Sequence, residues 1–330
     1  MLFYLAPPLL KVDYINKILR FFGYSTKNLE RSQNIGIYKI DCLIHSFLKY
    51  KMMKNTILSI KNKHERDEFL EFYEDDHKYI ITNDKGSNYT SVTTWNHTHF
   101  SKFNEDEVIN NMMNGKNWKV GNKYWGMTSD QIKEMWNKSR ISASTLGTAI
   151  HYDIECFMNN VTIPYPYTHK DLYDAASTTP CHNTSVEWSY FLNFVKDTAH
   201  LKPYRTEWTI YDEDLKIAGS IDMVYEKPNG TLAIYDWKRS KDITRVNNFN
   251  KFALTECICH MPDSNFWHYS LQLNTYKAIL ERKYNKKVTD LYLVQLHPDL
   301  SCYELIKVPV LTEEITDLFD ERLYELNHIK

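Results

Sequence analysis

"KIAGSIDMVYEKPNGTLAIYDWK", residues 216–238, decides how this chain is read. Two apolar runs rich in β-branched and aromatic residues flank Lys227-Pro228-Asn229-Gly230, the composition of a β-hairpin. On the first run, the period-2 face that holds Asp222 also holds the small residues Ala218 and Ser220. On the second, the face that holds Asp236 also holds Lys238. If the loop is the three residues 228–230, Lys227 pairs with Thr231 and the register sets Asp222 opposite Asp236. Opposed residues share a face, with Cβ atoms roughly 4.5–5.5 Å apart. A two-residue Asn-Gly turn instead sends the two acids to opposite faces.

Outward from this hairpin, "YRTEWTIYD" (204–212) reads as a preceding strand, which makes a three-strand meander. "HYSLQLNTYKAILERKY" reads as a helix, "DLYLVQLHP" and "CYELIKVPV" as strands, and residues 312–328 as a closing helix. Upstream, "TSVEWSYFLNFVKDTA" and "KSRISASTLGTAIHYDIECFMNN" (138–160) are helical, and "FLEFYEDDHKYIIT" (69–82) is a hairpin. Residues 161–184 read as a loop and 242–268 as irregular. Ser129, followed by Gln131 and an amphipathic turn, is a helix-capping signal. The order is helix, meander, helix, two strands, helix. It predicts an α/β (α+β) fold with a mixed central sheet flanked by helices.

The 330 residues carry a net charge of −2, so no anionic partner is demanded by the whole-chain charge. The charge is uneven, however. Residues 1–64 hold eleven Lys or Arg against three acids, a basic N-terminal segment distinct from the body at 65–330. A basic arm suits a polyanion, and a Lys-rich tail of biased composition is the alternative. Apolar positions 12, 15, 19 and 22 in that arm have helical spacing, as in an amphipathic helix or an organelle-targeting segment. Six cysteines without repeating spacing suggest free thiols in a reducing compartment. Apolar runs fall short of the ~18 residues of a membrane span.

Two opposed carboxylates repel, so one takes a proton or a cation lies between them. Mg²⁺ or Mn²⁺ suits oxygen ligands. Lys238, one pleat on, can orient a water or stabilise charge developing on a phosphate. A surface hairpin with a solvated Asp–Lys pair is the alternative. His151 and Glu155 in "GTAIHYDIE" are i, i+4 on one helix, and Gln272 and Tyr276 repeat that spacing later. Glu207 is a further carboxylate on the strand before Asp222, directed either to this site or to the outer face. Arg239, Lys241 and Arg245 can grip phosphates, or form a solvated charged edge. Aromatic residues between 242 and 268 can stack on unpaired bases.

Gly-Thr-x-x-His-x-x-x-Glu (147–155), Gly-x-x-Asp (219–222), Asp-x-Lys (236–238) and Gln-x-x-x-Tyr (272–276) stand in this order over about 130 residues. The set resembles the RecB-like branch of the PD-(D/E)XK nuclease superfamily, which includes the nuclease domains of recombination helicase-nucleases and mitochondrial genome maintenance exonucleases. The resemblance implies a restriction-endonuclease-like core and a Mg²⁺- or Mn²⁺-dependent deoxyribonuclease, an exonuclease or end-processing enzyme. It implies metal ligation by His151, Asp222, Asp236 and the Trp237 carbonyl. Lys238 would activate water, with Glu155, Gln272 and Tyr276 in the catalytic set. DNA, single-stranded or with free ends, is the expected partner; RNA is not excluded, and no membrane or obligate protein partner is expected. Some members carry an iron–sulfur cluster, but Cys42, Cys257, Cys259 and Cys302 do not match its spacing, so no cluster is expected. Cys257, Cys259, His260 and His268 are an alternative soft-ligand set for zinc. The rival reading is a degenerate module on the same fold that binds nucleic acid without cutting it.

Overall fold

The computed structural model describes residues 56–73, 76–160 and 185–328. The basic arm up to residue 55, the expected loop 161–184, Cys42 and Cys181 lie outside them. Ile57–Phe72 and Lys78–Lys330 form one compact unit. A second grouping takes in Met1–Thr56 and Tyr73–His77, few of which are described.

In chain order the elements are α1 (Ile57–Lys61), β1 (Leu70–Tyr73), β2 (Lys78–Ile81), β3 (Thr90–Ser91), α2 (Val92–Thr98), α3 (Glu105–Met113), α4 (Ser129–Asn160) and α5 (Val186–Asp197). Then come β4 (Lys202–Asp212), β5 (Ile217–Glu226), β6 (Leu232–Lys238), α6 (Asn265–Lys283), β7 (Val288–Gln295), β8 (Glu304–Lys307) and α7 (Thr312–His328). The fold is mixed α/β, with β1 and β2 paired as a hairpin beside a mixed central sheet ordered β3-β5-β6-β7-β8. β4 pairs antiparallel with β5, β6 antiparallel with β5, and β7 parallel with β6. Parallel β6 and β7 need a crossover, and α6 supplies it.

The sheet separates two buried layers. On one side Ile217, Ile221, Val224 and Ile234 pack with Leu273, Tyr276 and Ile279 of α6 and Phe319 of α7. On the other, Met223, Tyr225, Tyr235 and Trp237 pack with Ile154 and Phe157 of α4 and Phe191 and Phe194 of α5. Alternation along β5 therefore slips at Asp222, because Ile221 and Val224 enter the same layer while Met223 enters the other.

Three expectations change in detail. Residues 129–160 form one uninterrupted helix rather than a separate element beginning near 138. Its cap is Thr128, not Ser129: Gln131 N–H donates to Thr128 Oγ1 (3.3 Å) while Thr128 N–H donates to Gln131 Oε1 (2.8 Å). This reciprocal pair satisfies two donors that a helix start leaves open. Residues 57–64, counted above with the basic arm, pack on the sheet: Leu58 is buried and Asn62 Nδ2 donates to the Tyr204 carbonyl at 2.7 Å. No helix of the described residues is long and apolar enough to cross a membrane.

Candidate metal centre

The hairpin turn sets the geometry. Lys227 N–H donates to the Thr231 carbonyl (2.8 Å), and Gly230 N–H returns to the Lys227 carbonyl (2.9 Å). Gly230 takes φ +78°, the left-handed conformation that ends a three-residue hairpin loop and that glycine adopts without steric cost. The pairs Glu226–Leu232, Val224–Ile234 and Met223–Tyr235 follow. Continued one step, the same register sets Asp222 across from Asp236.

Asp222 Oδ2 accepts the Trp237 amide at 3.0 Å. His151, reaching in from α4, meets the Trp237 carbonyl through Nε2 at 2.9 Å and Asp222 Oδ2 through Nδ1 at 3.5 Å. Glu207 completes the group: His151, Glu207 and Asp222 each bring a ligand atom within 4.8 Å of the others. Ser220 Oγ donates to Glu207 Oε2 at 3.0 Å. Glu207 has φ +43°, in the left-handed region. Between Thr206–Met223 and Trp208–Ile221, that conformation turns the carboxylate to the site. A plain strand residue gives no sequence signal for such a φ; its acid character was the available clue.

Asp236 is buried, and Lys238 Nζ lies 2.5 Å from its Oδ2. Burial drives the Asp236 carboxyl upward, and Asp222 adds to this; Lys238 opposes it only in part. Burial alone would lower the Lys238 ammonium, but Asp236 and Asp222 outweigh burial and hold it above its ordinary range. Both shifts favour keeping protons in the pocket, as expected for two acids sharing one buried cation. The Tyr269 ring stands under Lys238 Nζ, 4.4 Å from its centroid. Sequence reasoning passed over Tyr269, although it lies three residues before Gln272 on α6.

Gln272 Nε2 donates to Tyr276 Oη at 3.1 Å, and burial raises the Tyr276 phenol. Tyr276 presses on β5 so closely that a Cβ at Gly219 would lie 2.7 Å from its ring. This accounts for the glycine of Gly-x-x-Asp. Glu155, expected with His151, is buried on α4 and does not join the His151–Glu207–Asp222 group.

The expected phosphate-gripping residues divide. Arg239 turns inward, its Nε 2.7 Å from Glu187 Oε1 with both side chains nearly buried, so its charge is neutralised within the fold. Lys241 pairs with Asp299 at the surface (2.8 Å). Arg245 stacks on the Phe266 ring, 4.1 Å from its centroid. The soft-ligand set does not assemble: His268 Nε2 meets Asp263 at 2.9 Å, while His260 faces Glu314 at 3.8 Å. Cys156, Cys257, Cys259 and Cys302 are free thiols.

No protein-family model matches the chain, and no curated protein matches it. Among solved structures it is similar to a chain described as the crystal structure of SSO0001, with 15% identity and a TM-score of 0.23. The match covers 42% of this chain and 57% of that one, less than two thirds of its length. A likeness of that size carries no argument about fold family or activity.

The donor set itself fits a hard divalent cation. One imidazole, two carboxylates and a backbone carbonyl converge, and oxygen dominates. His151 bridges Asp222 and the Trp237 carbonyl, the groups such an ion would join.

Proposed function

We propose that the chain is a metal-dependent nuclease that hydrolyses phosphodiester bonds of DNA, as an exonuclease or end-processing enzyme, on a restriction-endonuclease-like core of the RecB-like branch. One observation carries the reading. Asp222, held by the Trp237 amide, and the buried Asp236, which carries the Lys238 ammonium, follow directly on the last paired residues of one hairpin, Met223 and Tyr235.

His151, Glu207, Asp222 and the Trp237 carbonyl are the groups that would hold Mg²⁺ or Mn²⁺, with Asp236 supplying further negative charge. When bound, such an ion lowers the pKa of a coordinated water and offsets phosphate charge. Lys238 stays protonated beside Asp236, which keeps a cation where negative charge grows on the phosphate during in-line attack. Tyr269 confines that ammonium from one side, and Trp237 N–H fixes Asp222 Oδ2. Gln272 and Tyr276, bonded to one another, brace β5 against α6.

The test uses end-labelled single- and double-stranded DNA, and labelled RNA, with Mg²⁺, Mn²⁺ or chelator. Wild-type protein cuts DNA with a metal and not in chelator, while Asp236→Asn and Lys238→Ala lose at least 100-fold in rate. Cleavage that persists in either variant or in chelator overturns the mechanism. Binding without cleavage by wild-type protein identifies a degenerate binding module instead, and faster cutting of RNA reassigns the substrate.

A further inference from the structure

Between α3 and α4 lies "NGKNWKVGNKYWGM", residues 114–127, which the metal centre described above does not use. It contains Lys116, Lys119 and Lys123, and no acid occurs from residue 108 to residue 129. It is built from successive tight turns: Trp118 N–H donates to the Gly115 carbonyl (3.0 Å), Asn122 to Lys119 (2.9 Å), Trp125 to Asn122 (3.0 Å) and Met127 to Tyr124 (3.0 Å). Gly121 and Gly126 supply left-handed φ of +100° and +84°. The knob is fixed to α4 by Trp136 Nε1, which donates to Tyr124 Oη at 3.1 Å. On the flanking helices α3 and α4, Ile109 and Ile132 are fully buried.

What this support presents to solvent is both basic and aromatic. All three lysines are exposed, and none forms an ion pair among the described residues. Trp118 and Trp125 lie with ring centroids 5.7 Å apart, and Trp125 keeps 46% of its surface exposed. Val120 beside them is 84% exposed. The exposed indole offers a flat stacking face, and three unneutralised ammonium groups around it attract a polyanion. Ammonium groups read phosphates and an indole face stacks on any base, so the combination fits a flexible strand with its bases unpaired. A duplex keeps its base faces stacked away from such a ring.

We propose that this knob is a binding site for single-stranded nucleic acid, with Trp125 stacking on a base and Lys116, Lys119 and Lys123 contacting phosphates. α4 starts directly behind the knob and carries His151 twenty-two residues on, about 33 Å along the helix axis. The knob therefore serves as an anchor remote from the metal centre. It does not depend on catalysis, although it gives the proposed nuclease a second grip on its strand.

The experiment is fluorescence anisotropy with a labelled 30-nucleotide oligothymidylate, using the full chain in chelator. Exchanging the three lysines for glutamine weakens binding at least tenfold at 50 mM salt. It also lowers the slope of log affinity against log salt by about 2, since each single-strand phosphate contact contributes about 0.7. Trp125→Ala weakens binding about tenfold and Trp125→Tyr restores most of it. An oligomer of abasic sugar-phosphates binds wild type and Trp125→Ala equally. Circular dichroism confirms that the variants remain folded. Binding unchanged in the lysine variant, or an oligomer that wild type does not bind, overturns the proposal. So does loss confined to phosphatidylserine vesicles, which would make the knob a membrane contact. If wild type cuts DNA while the knob variants bind normally, the anchor fails and the nuclease stands. If the variants lose binding while wild type never cuts, the reverse holds.

Discussion

The Trp237 amide donates to Asp222 Oδ2 across 3.0 Å, so the strand that carries Asp236 also aims the acid facing it. Both acids thus depend on one turn. Gly230 ends that turn at φ +78°, where a branched side chain is strained. Gly230→Val is expected to lower unfolding free energy by about 1–2 kcal/mol, measured by urea titration. Gly230→Asn, which tolerates the left-handed region, recovers most of that loss.

Lys238 and Asp236 should behave as a coupled pair. Lys238→Ala leaves a carboxyl buried without its cation, a loss of about 3–5 kcal/mol in chelator. Asp236→Asn combined with Lys238→Met removes both charges and is expected to be closer to wild type than either single change. A double-mutant cycle on urea midpoints checks this; additive losses would show that the pair is uncoupled.

The same cluster predicts metal-linked stability. Millimolar Mn²⁺ should raise the wild-type melting temperature, because a ligand bound only by the folded state stabilises it. Asp222→Asn should abolish the rise. An equal rise in that variant would place the ion elsewhere.

Acid sensitivity is expected to arise away from the site, at His99. Burial, reinforced by the Arg322 charge, lowers its imidazole to about 4. Nδ1 is 2.9 Å from Thr255 Oγ1. A histidine with a depressed folded value is neutral in the fold, and its contribution is complete above its unfolded value near 6.5. That contribution is lost as pH falls from about 6.5 toward 4. Between pH 7 and pH 5 the loss is about 2 kcal/mol. Urea titrations at the two values measure it, and His99→Gln should remove that component.

Gly219 is a packing requirement. A methyl group there meets Tyr276 Cε1 at 2.7 Å, so Gly219→Ala must displace the ring that Gln272 holds. The expected loss is about 1–3 kcal/mol. Tyr276→Leu in the same chain recovers part of it if the clash is the cause.

Local rules carried the sequence reading furthest where the fold is local. Pro228-Asn229-Gly230 sets the loop length, which sets the register up to Met223–Tyr235 and brings 222 and 236 to the same end of the hairpin. The period-2 rule placed Lys238 beside Asp236. Features that depend on distant partners were not legible in this way. Arg239 looked free until Glu187, 52 residues earlier, was seen beside it. Glu155 shares a helical spacing with His151, yet spacing does not reveal which neighbours bury each. The unbroken length of α4 was hidden by a polar stretch, Asn137–Ala149, with few apolar residues to keep the period visible. The aromatic-basic knob has no period at all, being made of turns.

Glu207 places folding and chemistry in opposition at one residue. Its left-handed backbone costs an L-residue about 1–2 kcal/mol, which glycine would not incur. Glu207→Gly is therefore expected to melt higher in chelator while binding Mn²⁺ more weakly. Selection for durability alone would discard that carboxylate, so its retention would have to come from what the protein does.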